Sequence, residues 1–223
     1  SIFLYDGNNA TPDAGADQSL CETTTTTLQG SPVTYPAVGT WEVDQGTGVV
    51  TDPNDPNSGV TGMGVGVNVF SWIVANGPCA TGGGNDEVQV TIYDADAAPA
   101  AAGADQSICG PGSNVSLNAN APTGPATGFW SVISGQATFA DATSPTTSVS
   151  GLAVGATTLE WTIDNGPCGT SSDQVTLLIY DDSQSSASAG PVTWKCHDGF
   201  PNSSNWLKMT SLGRVRRISQ HLS

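Results

Sequence analysis

Ala14-Gly15-Ala16-Asp17-Gln18-Ser19-Leu20-Cys21 is written a second time as Ala102-Gly103-Ala104-Asp105-Gln106-Ser107-Ile108-Cys109, 88 residues further on. Working outward, the markers continue in order at nearly constant spacing. Gly39-Thr40-Trp41-Glu42-Val43 returns as Gly128-Phe129-Trp130-Ser131-Val132, Trp72 as Trp161, and Asn76-Gly77-Pro78-Cys79 as Asn165-Gly166-Pro167-Cys168, each at an offset of 89. Val90-Thr91-Ile92-Tyr93-Asp94 returns as Leu177-Leu178-Ile179-Tyr180-Asp181 at 87. A fixed period of this kind marks one folding unit copied in series. The spacing sets two full repeats at 12–95 and 96–182. Residues 1–11 read as the last strand of a preceding repeat and a linker, from Phe3-Leu4-Tyr5-Asp6. Residues 183–223 read as a linker with a partial or atypical third unit that opens at Ala189-Gly190-Pro191 and reaches Cys196.

Inside a repeat the apolar period is two. Val88, Val90 and Ile92 alternate with Gln89, Thr91 and Tyr93, and Val175, Leu177 and Ile179 follow suit. Phe70/Leu159, Trp72/Trp161 and Val74/Ile163 stay apolar between copies, whereas Ser71/Glu160, Ile73/Thr162 and Ala75/Asp164 drift towards polar, so one face is expected in the core and the other in water. Trp41/Trp130 with Val43/Val132 give a second inward strand. Asn-Gly turns and the stretch Asp52-Pro53-Asn54-Asp55-Pro56 supply corners. About seven short strands in under 90 residues predict an all-β protein: tandem Ig-like antiparallel β-sandwich domains in a beads-on-a-string array.

The Ala-Gly-x-Asp-Gln-x-x-Cys opening, the two tryptophan strands, the Asn-Gly-Pro-Cys turn and the closing Ile-Tyr-Asp resemble the Ig-like (PKD-like) repeats of very large secreted bacterial surface adhesins, of the gliding-motility type, and of related extracellular fibres. The resemblance covers residues 1 to about 190. It implies an Ig-like fold and export to the cell surface, and it brings no catalytic residue with it. In the Ig pattern the two cysteines sit within core strands; here they sit at strand edges, so that pairing does not carry over.

Charge narrows the function. The chain holds 20 acids and 5 Lys or Arg, for a net −15, and every Lys, Arg and His lies beyond residue 190. The body 1–190 therefore carries 19 acids, all but Asp198, and no side-chain cation. Phosphate backbones have nothing there to displace their counterions, which excludes nucleic acid as a partner. Imidazole-based nucleophile activation, Schiff-base lysines and histidine-ligated metals are excluded with it. A two-carboxylate glycosidase survives that filter. But Glu22, Glu42, Glu87 and Glu160 have no glutamate counterpart in the other copy, and no enzymatic activity is expected. The body also offers trypsin-type proteases no cleavage site. No apolar run is long enough for a transmembrane helix, and Ser1-Ile2-Phe3-Leu4-Tyr5-Asp6 lacks the form of a signal peptide.

Each repeat has two cysteines. The simplest pairing is internal, Cys21 with Cys79 and Cys109 with Cys168, worth about 4 kcal/mol on the chain-entropy estimate. Free buried thiols are a second arrangement. A third links neighbouring units, Cys79 with Cys109 and Cys168 with Cys196. Either disulfide scheme points to an oxidising, extracellular setting. The aspartates Asp52, Asp55, Asp94, Asp141 and Asp181 are calcium candidates at oxygen-rich loops. Short Asp side chains also cap turns, and replacement of Asp52-Pro53-Asn54-Asp55 by Asp141-Ala142-Thr143-Ser144 favours capping. Asn9, Asn114 and Asn202 fit the N-glycosylation pattern. Thr23–Thr27 suits either a strand or O-linked sugars.

Beyond Gly190 the character changes. Leu212, Val215, Ile218 and Leu222 are spaced like one face of a basic helix. A partial unit completed by a strand from another chain, or a reading-frame change in the source, accounts for the same stretch. Two functions follow. One is a non-catalytic structural segment of an extracellular adhesin or self-assembling filament, with head-to-tail association as the partner relation. The other is a carbohydrate-binding module that presents Tyr35, Phe139, Tyr93 or Tyr180 to surface glycans.

Overall fold

The computed structural model describes residues 2–4, 11–78 and 83–181, and the backbone of 209–211 and 214–216. The chain is all-β. The first repeat supplies β1 (Gln18–Cys21), β2 (Thr26–Thr27), β3 (Val38–Gln45), β4 (Val49–Val50), β5 (Gly59–Thr61), β6 (Gly66–Ala75) and β7 (Gly84–Tyr93). They form two sheets, ordered β1-β7-β6-β3 and β2-β5-β4. The second repeat supplies β8 (Gln106–Cys109), β9 (Val115–Ser116), β10 (Thr127–Ser134), β11 (Thr138–Phe139), β12 (Ser148–Ser150), β13 (Gly155–Asp164) and β14 (Thr170–Tyr180). Their sheets, β8-β14-β13-β10 and β9-β12-β11, repeat the first pair strand for strand. These are tandem Ig-like β-sandwiches, as the period-two pattern requires. One pair in each departs from the antiparallel rule: β1 runs parallel to β7, and β8 parallel to β14.

Packing divides the chain into two compact units: residues 1–100 with 121–128 and 162–172, and residues 101–120 with 129–161 and 173–223. The core of the first unit is built from Leu28, Trp41, Val60, Met63, Phe70, Trp72, Val74, Val88, Val90 and Ile92, which joins β3, β6 and β7 to the opposite sheet. Trp72 is wholly buried and its indole N–H donates to the Ser31 carbonyl (3.1 Å). Trp41 leans on it with ring centroids 4.9 Å apart. Gly39 is required here, because a Cβ at that position would overlap the Trp72 ring. In the second unit the buried Trp161 donates to the Asn120 carbonyl (3.1 Å), and Trp130 leans on it at 5.2 Å.

Three expectations are corrected. Alternation from Trp41 and Trp130 puts Val43 and Val132 inward, yet they are 41% and 38% exposed. In the first repeat a bulge between Val43 and Gln45 breaks the alternation just past Trp41. Ser71, placed on the water face, is buried because the Asp44 carboxylate covers it and accepts its hydroxyl proton. Finally, Met209–Ser211 and Arg214–Arg216 (β15 and β16) pair as an antiparallel ribbon where a helix face was read.

Candidate functional site

Cys21 is the last residue of β1, and the parallel register places it opposite Tyr93, the last residue of β7. The Asn76-Gly77-Pro78-Cys79 turn lies at the other end of β7, before Gly84. Nine strand steps separate Gly84 from Tyr93, about 30 Å at ~3.3 Å each. The five residues from Cys79 to Gly84 reach back at most about 17 Å. The remainder exceeds the span of a disulfide, about 7 Å between Cα atoms at most. Internal pairing of Cys21 with Cys79 is therefore excluded by strand length. The register of Cys109 with Tyr180 on the longer β14 argues likewise against Cys109 with Cys168.

Cys21 is instead bonded to Cys168, with Cα atoms 5.0 Å apart and 147 residues between them in sequence. The opening cysteine of one repeat is joined to the turn cysteine of the next, a combination absent from the three arrangements weighed above. It lies within the first compact unit, which includes residues 162–172. Cys109 is also disulfide-bonded. Cys79 and Cys196 lie outside the described residues, as do Asn9 and Asn202.

The turn that carries Cys168 is shaped to fit. Asn165 starts a single 3-10 turn over Gly166–Cys168 and its side-chain amide donates to the Asp94 carbonyl (2.8 Å). Gly166 has φ +53°, and a Cβ there would come 2.6 Å from the Tyr93 ring, so glycine alone permits the approach. On the receiving side the Glu22 N–H donates to the Tyr93 carbonyl (2.9 Å), which holds β1 against β7 one residue past the cysteine. Closing so long a loop stabilises by about 5 kcal/mol on the chain-entropy estimate.

Beside the bond, the carboxylates of Glu22, Asp94 and Asp96 lie within 4.8 Å of one another. Glu22 and Asp94 border an open cavity of about 300 Å³ with Thr24, Met63, Val65, Ile92 and Tyr93. Of the calcium candidates, only Asp94 belongs to this group. Sequence reasoning missed Glu22, brought beside Asp94 by the parallel β1/β7 pairing, and Asp96, which the turn after β7 holds next to Asp94. The other aspartates hold backbone. Asp52 accepts from Asn54 N–H (3.1 Å), Asp55 from Asn57 N–H (2.9 Å), and Asp141 from the N–H and hydroxyl of Thr143 (2.8 and 2.7 Å). Asp94 itself accepts from Asp96 N–H (3.0 Å). Asp181 directly follows Tyr180 at the end of β14 and is half-buried.

Four further aspartates fasten strands at repeat-equivalent positions. Asp17 and Asp105 accept from Gln89 and Thr176 N–H (2.9 and 2.8 Å), and Asp86 and Asp173 from Ala14 and Ala102 N–H (2.8 Å each). Such bonds use the carboxylates as structural acceptors.

Among the aromatic candidates, Tyr35 is 76% exposed with Phe3 edge-on at 6.1 Å, and Tyr180 is 49% exposed. Tyr93 is half-buried beneath the Gly166 turn, and Phe139 is half-buried with its ring stacked on Trp130 at 6.3 Å. Asn114 is exposed, next to β9. No helix among the described residues is long and apolar enough to cross a membrane.

No family model and no curated protein matches the chain. Among solved structures it is similar to the PKD domain from the KIAA 1837 protein, at 27% identity over 40% of this chain and 91% of that one, with a TM-score of 0.33. It is similar to Sidekick-1 immunoglobulin domains 1–5 at 11% identity, over 76% and 39% of the two chains, with a TM-score of 0.43. A third likeness is to titin domains I67–I69, at 10% identity over 95% and 83%, with a TM-score of 0.36.

Proposed function

We propose that this chain is a non-catalytic, load-bearing repeat segment of an extracellular adhesin or surface filament. The Cys21–Cys168 bond carries the reading. It spends an oxidised pair on tying successive repeats together, where an isolated domain would spend it on its own core. The absence of Lys and Arg from 1–190 suits a chain exposed to extracellular proteases. A disulfide persists in the oxidising setting outside the cell.

Single-molecule stretching from the two ends tests this. The bond hides the 147 residues it spans, about 500 Å of extended chain. Under oxidising conditions that length stays locked, and a reductant such as dithiothreitol releases it. Release of the full length without reductant contradicts the reading.

The exposed pair of Tyr35 and Phe3 favours carbohydrate binding as the second reading, since an open ring beside another suits a sugar face. Retention on a glycan array that Tyr35→Ala abolishes would support it. An array on which no glycan is retained would end it.

A further inference from the structure

The turn that carries Cys168 contains an asparagine–glycine pair, Asn165-Gly166, the dipeptide in which an asparagine side chain reacts most readily with its own backbone. In that reaction the nitrogen of the following residue attacks the side-chain amide carbon and closes a five-membered ring. Glycine puts no Cβ in its way. Closure requires that nitrogen to stand on the same side of the Cα–C bond as the asparagine side chain.

The fold holds it on the other side. Asn165 has φ −101° and ψ +34°, which turns the Gly166 nitrogen away from the Asn165 side chain. Both ends of the peptide group between them are pinned. Its carbonyl accepts from Cys168 N–H (3.0 Å), and its N–H donates to the Asp164 carboxylate (3.0 Å). A peptide group turns as one plane, so swinging the nitrogen round breaks both bonds together. The side chain is fixed as well. Its Nδ2 donates to the Asp94 carbonyl (2.8 Å), while its Oδ1 is buried and, among the described residues, has no partner. Gly166 is pressed against the Tyr93 ring, and three residues past Asn165 the bond from Cys168 to Cys21 closes the turn down.

We propose that Asn165 is a deamidation site, silenced by the docked turn and released when the Cys21–Cys168 bond is reduced. A dithiol reductant supplies two electrons and two protons, leaves as its own disulfide, and returns Cys21 and Cys168 to thiols. The freed turn opens locally. The Gly166 nitrogen then bonds to the Asn165 Cγ, the Cγ–Nδ2 bond breaks, and the proton lost from Gly166 departs with that nitrogen as ammonia. Water opens the resulting succinimide at one of its two carbonyls, which gives aspartate or isoaspartate. Either product puts a carboxylate where the amide donor stood, facing the Asp94 carbonyl, with two acceptors and no proton between them. The new charge also falls beside Asp94, whose carboxylate already groups with those of Glu22 and Asp96. The turn no longer redocks, so a single reduction of the junction is recorded permanently. The inference depends on the geometry of this turn and not on whether the segment bears load.

The full chain, incubated at mildly alkaline pH with and without dithiothreitol, tests this. Peptide mapping by mass spectrometry follows the Asn165 amide separately from the Asn76-Gly77 pair, and the chain unfolded in guanidinium sets the unrestrained rate. The oxidised protein should lose the Asn165 amide at least tenfold more slowly than the unfolded chain. Reduction, or Cys168→Ser without reductant, should bring the folded protein most of the way back to that rate, with amide exchange in β6 and β13 reporting that the cores are intact. Asp164→Ala frees the Gly166 N–H while the disulfide stays closed, and it should raise the rate severalfold without any reductant. An oxidised protein that reacts as fast as the unfolded chain overturns the proposal. So does an Asn165 rate that neither reduction nor Asp164→Ala changes.

Discussion

Trp41 and Trp130 occupy the same place in two copies of one fold. Both are 3% exposed, and each leans on a fully buried tryptophan with ring planes tilted by 41° and 45°. Even their backbone N–H groups are held alike, by the carbonyls of Pro53 and Ala142 at 2.8 Å. Their indole N–H groups differ. That of Trp41 is shared between the carbonyls of Asp55 and Pro56 (3.1 and 3.3 Å), while that of Trp130 is buried and, among the described residues, has no partner. The loop accounts for this. In the first repeat the Asn54 amide ties the loop to the Gly39 carbonyl (2.8 Å) and the Thr40 hydroxyl (3.2 Å). In the second, Thr143 takes that position and its hydroxyl turns back to Asp141. Apolar packing is copied faithfully because neighbouring side chains constrain every core position; polar satisfaction is settled loop by loop.

That contrast can be broken or sharpened in order of effect. Trp72→Ala and Trp161→Ala should each cost about 3–5 kcal/mol in their own repeat. Local hydrogen exchange in β6 and β13 would report the losses, and markedly unequal values would break the equivalence of the cores. Asn68→Ala should cost the first repeat about 2–3 kcal/mol. The buried amide accepts from Thr47 N–H (3.3 Å) and donates to the carbonyls of Gly64 and Gly66 (3.1 and 3.3 Å), groups left unpaired by the change. The exchange rate of the Thr47 amide would read it directly. Trp41→Phe and Trp130→Phe remove the same ring volume, but only the first loses a hydrogen bond. Trp41→Phe should therefore be the costlier by about 1 kcal/mol in denaturant unfolding. Equal costs would show that the indole bond contributes nothing.

The smallest effect concerns Asp141, whose carboxyl is held below its usual range chiefly by the Thr143 hydroxyl and then by the Thr143 N–H, against a slight opposing effect of desolvation. Its folded pKa is depressed, so the stability it lends is present above the unfolded value of about 3.9 and is lost as pH falls through the folded one. Thr143→Val should raise the Asp141 pKa towards the ordinary carboxylate range in an NMR titration. An unchanged value would assign the depression to the backbone alone.

Much of the fold was legible because the repeat provides its own control. Comparing copies separated core positions such as Phe70/Leu159 from drifting ones such as Ile73/Thr162, and period two did the rest. Val43 was misread because a bulge is a backbone event that its side chain does not announce. The disulfide was misread for a different reason. Spacing of 59 or 60 residues says only that two cysteines belong to one repeat. Which end of the sandwich each occupies depends on β1 running parallel to β7, and nothing in Gln18-Ser19-Leu20-Cys21 encodes direction. The Glu22, Asp94 and Asp96 cluster was hidden by the same unknown. Asp52 and Asp141 were legible as turn caps from the comparison of their loops, and each accepts from a backbone N–H two residues on.

The central claim is that cysteine joins one repeat to the next, and peptide mapping of the unreduced protein tests it most directly. Because 1–190 has no tryptic site, cleavage at acidic residues is the practical choice. The account predicts one linked peptide pair holding Cys21 and Cys168, which separates on reduction. A pair holding Cys21 with Cys79, or Cys109 with Cys168, would contradict it.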